Sequence, residues 1–304
     1  MGARLVRLVL LLGLTAGLLP GGATPAAAHS GGLSSSTSQA RVLTLDPPVP
    51  GLDVRAVEFG ARLRLTNGTA ASVVVTPGPD GVALPTVPPG GIAYWFDPRV
   101  AAAAAAERPE GDRLGWAVPL RVGDAAVTVR GEQYWPPPPG TVVWTLLALL
   151  ALAVPAVAGV LGASRVWGGV VLAAATLVVL AAHLTHVLGS AGVPEDQPYT
   201  LMLLSAAGYA MLGWPLGAVG AWLTLRGHSA GPLLCVAAGG LFAIVIAPVD
   251  AFTLFEAVVP FSWGADLDRA LVALTLGGGL GVVVAGVAVL RRGPVASTPG
   301  PAGQ

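Results

Sequence analysis

Cysteine is almost absent from this chain: Cys235 is the single one among 304 residues. One thiol excludes an intramolecular disulfide and any C-x-x-C redox or zinc site. It lies in an apolar stretch, where a lone thiol ordinarily packs as a small apolar side chain. Lysine is missing altogether, so every fixed positive charge is an arginine. Charge of either sign is scarce, at 11% of residues, against about 25% in a soluble domain. The formal net charge is zero, so no basic surplus points to a nucleic-acid partner. Two catalytic signatures are missing as well: no H-E-x-x-H and no phosphate-binding glycine loop occurs, and the chain reads as non-enzymatic. Ser34, Ser35, Ser36 and Ser38 have no nearby base beyond His29 and read as linker.

What is abundant is apolar. Hydrophobic residues make up 54% of the chain and the mean hydropathy is +0.74, values that point to a polytopic membrane protein. The start, MGARLVRLVLLLGLTAGLLPGGATPAAAHS, has two early arginines, an apolar centre and a small-residue site at Ala26-Ala27-Ala28. It reads as a secretory signal peptide over 1–28, cleaved before His29.

Residues 29–135 differ in character, with many prolines, most of the charges and short alternating runs. Period-two patterns at Leu52–Val57, Ala61–Leu65, Ser72–Val75, Gly91–Phe96, Val118–Val122 and Ala126–Arg130 predict strands. Asn67-Gly68 and Gly123-Asp124 are turn signals. Ala101–Ala106 predicts a short helix stopped by Pro109. Six or seven strands in this length suggest an immunoglobulin-like β-sandwich, all-β and outside the cell. Pro136–Pro139 then predict a rigid stalk over 136–140.

Beyond the prolines, five segments are long enough to cross a bilayer: 141–162, 166–188, 200–225, 231–250 and 268–290. Together they predict an all-α membrane domain over 141–290, followed by a disordered cytoplasmic tail, 291–304. Export of residue 29 makes the first span run inward. Arg165, Arg226 with His228, and Arg291-Arg292 then fall inside. Glu195, Asp196, Glu256, Asp266 and Asp268 fall outside with only Arg269 against them, which satisfies the positive-inside rule. The expected location is the plasma membrane, multi-pass, with the lipid bilayer as first partner. Gly213-x-x-x-Gly217 and Gly277-x-x-x-Gly281 would allow close helix approach.

Two histidines stand inside the oily run LAAHLTHVLG. His183 and His186 share a helix face, near the outer end of the second span, at the depth of Asp250 in the fourth. Intramembrane ionisable groups face a bundle interior or a cavity. Imidazole and carboxylate in this arrangement suit copper or zinc, so His183, His186 and Asp250 are the candidate metal ligands. The structural alternative is that the histidines bond to backbone or water while Asp250 caps the next short helix. His29 is a second, separate candidate, because after cleavage its amino group and imidazole could chelate copper together. No other histidine occurs between residues 30 and 182 to support it. Haem would need histidines facing each other from two helices.

The order of leader, AHSGG, VPGLDVRAVEFGARLRLTN, WAVPLRVGDAAVTVRGEQYW-PPPP, five spans and VVPFSWGADLDRALVALTLG resembles an uncharacterised actinobacterial membrane-protein family over nearly the whole chain. That resemblance implies an association with copper handling, and copper-resistance proteins whose mature form begins with His share that feature. Where the family pattern has a histidine-rich W-H-D-H-R stretch, this chain has Trp95-Phe96-Asp97-Pro98-Arg99. Phe96 and Pro98 replace both histidines, so an outer metal site there would be lost. The expected role is a non-enzymatic envelope protein involved in copper or other metal handling. The alternative is a scaffold whose outer domain binds another envelope protein through an edge strand. A transporter would want polar residues near the bilayer midplane, which are nearly absent.

Overall fold

The computed structural model describes residues 33–78, 81 and 83–292. The stretch 1–28 read as a signal peptide, His29 and the tail from Gly293 lie outside the described residues. Arg291 and Arg292, assigned to that tail from sequence, instead form the last two residues of the final helix.

The alternating segments build two antiparallel sheets. One has the order β1 (Gln39–Asp46), β8 (Ala125–Tyr134), β7 (Arg113–Val122), β4 (Val73–Val75), β5 (Thr86–Val87). The other is β2 (Leu52–Val57), β3 (Arg62–Asn67), β6 (Ile92–Trp95). In β3 the inward residues Leu63 and Leu65 are buried, whereas Arg62 and Arg64, which alternate with them, are only half-buried, as a strand's period of two requires. Leu63, Leu65, Val73, Val118, Val129 and Trp116 belong to one apolar core drawn from both sheets.

Gly123-Asp124 is the two-residue turn expected, with Val122 opposite Ala125 and Gly123 at φ +56°. Asn67-Gly68 behaves differently. It joins no hairpin, because β3 and β4 lie in different sheets. The buried Asn67 amide donates to the carbonyls of Ala71 and Val87, fastening the crossover. β1 is a strand the alternation did not reveal, since most of its side chains stay partly or fully exposed. The alanine run is helix α1 (Pro98–Ala105), capped by Asp97, whose carboxylate accepts from the Arg99 backbone N–H at 3.0 Å. The Arg99 guanidinium and the Trp95 indole also donate to Asp97. Burial pushes that carboxyl up, and these hydrogen bonds more than offset it, holding it below its ordinary value.

The helices follow: α2 (Thr141–Gly162), α3 (Val166–Ala191), α4 (Tyr199–Ala207), α5 (Ala210–Leu225), α6 (Gly231–Gly240), α7 (Ala247–Asp250) and α8 (Ala265–Arg292). A π-helical stretch, Leu241–Ile246, joins α6 to α7, and a 3-10 turn runs on to Leu254. Four helical runs are long and apolar enough to cross a membrane: α2, α3, Gly231–Leu254 and α8. The third predicted span is a pair, α4 and α5, bent by 69° at Gly208-Tyr209. Gly208 takes φ +44° there, a conformation glycine adopts without penalty.

Both glycine spacings work as close approaches. A Cβ on Gly277 would strike the Ala148 carbonyl, and one on Gly281 would strike Pro155 and the Leu152 carbonyl. Gly159 on α2 meets Ala285 of α8 in the same way. Small residues four apart thus let α2 and α8 lie backbone to backbone. Gly213 and Gly217 seat Phe242 and Leu180.

The helix ends sort by charge. Arg292 donates to the Val160 carbonyl, Gly231 abuts Thr224, and Gly286 lies against Val236. The ends carrying Arg165, Arg226, Arg291 and Arg292 are therefore gathered together. The opposite end carries Glu195, Asp196, Glu256 and Asp266, and there the β-rich region docks. Arg62 of β3 donates to both Asp196 oxygens at 2.6 and 2.8 Å and also pairs with Glu58. Arg64 reaches Glu195 at 3.2 Å. Ser36 and Val258 exchange two backbone hydrogen bonds of 2.9 Å. The serine-rich start is thus part of the fold, and the proline segment does not separate the β-rich region from the helices.

Candidate functional site

His186 is the centre of the site. It lies five residues before the end of α3, about 8 Å in from that end, and is 4% exposed. Its Nδ1 is 2.6 Å from an Asp268 carboxylate oxygen on the first turns of α8. Its Nε2 is 3.5 Å from an Asp250 carboxylate oxygen at the end of α7. Three helices therefore converge on one imidazole. An imidazole with both nitrogens protonated donates twice, whereas a neutral ring donates once and turns a lone pair toward the other partner.

Aromatic packing fixes the ring. Phe261 lies parallel to it, 8° between planes and 6.2 Å between centroids. A Cβ on Gly189 would collide with that Phe261 ring, so the glycine opens the slot that admits it. His183, one turn deeper and 1% exposed, sits 5.9 Å from the His186 ring. Phe242 at 4.9 Å and Trp214 at 5.9 Å flank it. His183, His186, Asp250, Ala247, Val272 and Thr275 line one small cavity.

Arg269, next to Asp268, faces the neighbouring loop. Its guanidinium, 6% exposed, donates to the carbonyls of Thr253, Glu256 and Ala257 and to Asp266. One turn of α8 thus holds the histidine centre with one side chain and the 253–257 loop with the next.

The sequence-predicted residues come together in part. His183, His186 and Asp250 share the cavity, and His29 lies outside the described residues. Asp250 makes no side-chain capping bond to the following 3-10 turn and turns toward His186. Asp268 and Arg269 were assigned to the outer loop by their charge, yet both are buried. The available signal was position: Asp268 opens the predicted span 268–290. The donor set does not fit a transition metal as arranged. Among the described residues no group of three or more His, Cys, Asp or Glu side chains is placed to hold a metal ion, and Asp268 already takes up one nitrogen of His186.

No protein-family model matches this chain, and no curated protein or solved structure matches it either. What the protein does has to follow from its own geometry.

Proposed function

We propose that this is a non-enzymatic, multi-pass protein of the plasma membrane that holds a proton at a buried histidine–dicarboxylate centre. One observation carries this: the two ring nitrogens of His186 face carboxylates supplied by two other helices. A charged imidazole offsets one carboxylate directly, and buried Arg269 stands one residue from Asp268. Loss of the proton leaves an uncompensated buried charge, which proteins tolerate poorly. The centre therefore ties the packing of α3, α7 and α8 to protonation of one side chain, as His and Asp chains do in proton-handling membrane proteins.

The β-rich region, with its two antiparallel sheets and shared core, is in this proposal an immunoglobulin-like sandwich outside the cell. Arginines at the far helix ends support that orientation by the positive-inside rule. Asp196 and Val258 both touch the β-rich region, so the chain between them crosses the membrane an even number of times. Gly231–Leu254 supplies one crossing and the bent α4–α5 pair the other, giving five in all.

Nitrogen-15 NMR of the full chain, labelled at histidine and held in lipid nanodiscs, tests the proposal. Both His186 nitrogens are expected to carry protons at pH 7, with the assignment made by His186→Gln. A neutral His186 tautomer at that pH overturns the proton centre. Copper or zinc handling is the second reading: His183, His186 and Asp250 line one small cavity, although they are not arranged there as a metal's ligands. It requires His183 and Asp250 to turn toward a metal bound at Nε2 of His186. Stoichiometric metal in the purified protein, lost in His183→Ala and Asp250→Ala, would establish it in place of the proton.

A further inference from the structure

A second site lies away from the histidines, in the cleft where the β-rich region meets the helix loops. Its volume is about 480 Å³, within the range of small-molecule sites, which favour interfaces between regions. One wall is α1, presenting Ala101, Ala104 and Ala105, and the floor is Val258 and Pro260. Phe59 and Phe96 form a lip, 41% and 65% exposed.

The polar side holds an unspent hydrogen-bond acceptor. Gln133 lines the cleft and is 2% exposed. Its amide nitrogen donates to Ser38 Oγ at 2.7 Å. Its Oε1 is buried and has no hydrogen-bond partner among the described residues. A buried acceptor left without a donor costs about 1–3 kcal/mol, and a donor supplied from the cleft, by water or by a bound molecule, removes that cost. The backbone beside it is strained too. Glu58 and Phe59, both lining the cleft, take φ +54° and +59° ahead of Gly60 at +91°. Two consecutive non-glycine residues in the left-handed region are a feature that clusters at binding sites.

The charges bordering the cleft are already matched. Glu58 is paired with Arg62, and Asp97 with Arg99. An incoming ion would find no free counter-charge among them. We propose that this cleft binds a neutral amphipathic molecule, whose hydroxyl or amide head donates to Gln133 Oε1 while its apolar portion lies against Phe59, Phe96 and the alanines of α1. The proposal is independent of the histidine centre, since it shares no residue with it.

The test uses the full chain in phosphatidylcholine nanodiscs and saturation-transfer NMR with three probes. These are octyl glucoside below its micelle concentration, its tetra-O-methyl ether, which has no donor, and glucose, which has no tail. Octyl glucoside is expected to saturate. The ether and glucose should bind at least roughly tenfold more weakly, the factor that about 1.4 kcal/mol represents. Gln133→Leu should cost a similar factor. Phe96→Ala should weaken binding several-fold in a variant that folds normally, because that ring is exposed. Equal binding of the ether overturns the role of Gln133, and equal binding of glucose overturns the amphipathic fit. Signals no stronger than those from empty nanodiscs, or undiminished in Phe96→Ala, overturn the site itself.

Discussion

Replacing Asp268 with asparagine separates two accounts of the histidine centre by magnitude. The substitution preserves shape and one hydrogen-bonding oxygen and removes only the charge. If His186 and Asp268 form an ion pair, the loss leaves a buried charge without its partner, at about 3 to 5 kcal/mol. That is roughly two to three and a half decades in the unfolding equilibrium. If the contact is an ordinary interhelical hydrogen bond between neutral groups, such bonds in membrane bundles average about 0.6 kcal/mol and reach about 1.7. The intervals do not overlap. The proposal expects the first class, and the 2.6 Å between nitrogen and oxygen, shorter than a neutral N–H···O bond ordinarily is, supports it. Asp250, at 3.5 Å from the ring, stands at the outer limit of hydrogen bonding, and Asp250→Asn should cost less than Asp268→Asn. Reversible unfolding of the purified chain in mixed micelles, followed by loss of helical signal, supplies the free energies. The double variant with His186→Leu closes a thermodynamic cycle, and its cost should fall short of the summed single costs by about 2 kcal/mol or more. A cost below about 1 kcal/mol for Asp268→Asn, with single effects that add within about 0.5 kcal/mol, would refute the charged centre.

Arg62→Gln should loosen the β-rich region from the helices, read as faster amide exchange near Asp196. Asp196 and Glu58 hold the Arg62 guanidinium above its ordinary value, and Arg62 in turn holds the Asp196 carboxyl below its own. A depressed carboxyl stabilises above its unfolded value of about 3.9 and loses that contribution as pH falls through the folded value. The docked arrangement should therefore weaken only below about pH 4, and docking unchanged at pH 2 would contradict the ion pair. Gly281→Leu should separate α2 from α8 at a cost of about 1–3 kcal/mol, as overpacked cores do; a variant as stable as the parent would show that these helices do not touch there. Arg269→Lys should free the 253–257 loop, because one ammonium cannot match the fork that serves three carbonyls and Asp266. Amide exchange at residues 253–258 and at Ser36 should rise together, and a rise confined to the loop would uncouple it from the β-rich region.

Much of this architecture was legible in the residues because it rests on period and length. Strands such as β3 alternate buried leucines with half-buried arginines, and four apolar runs are each long enough for a membrane. Gly277 and Gly281 could be named as contact points because only glycine removes the Cβ that would strike Ala148 and Pro155. What escaped depends on partners remote in sequence. β1 was missed because its place comes from pairing with β8, some ninety residues on. Asn67-Gly68 carries a hairpin signal, yet its amide serves Val87 across a sheet-to-sheet crossover. At the site, the i,i+3 pair of histidines and the depth of Asp250 were visible. Asp268 was not, because an acidic residue at the start of a span reads equally as loop charge or as buried partner.

The remaining difference lies in the helical run Gly231–Leu254, whose regularity fails beside the histidines. Leu241–Ile246 are π-helical, carrying Phe242 against His183 and leading directly into Ala247–Asp250. A π-turn accommodates one residue more than an α-turn, and one residue is about 100° of rotation around a helix axis. Continued as an α-helix, the segment would carry Asp250 about that far around and away from α3. The other break in the bundle, at Gly208-Tyr209, opens α5, whose first turns carry Trp214 to His183. The run LFAIVIAPV is apolar in either register, so hydrophobic pattern cannot distinguish them. Two irregularities flanking one histidine pair, each costing backbone regularity, are what a bundle retains when aiming its buried polar groups outweighs ideal helix geometry.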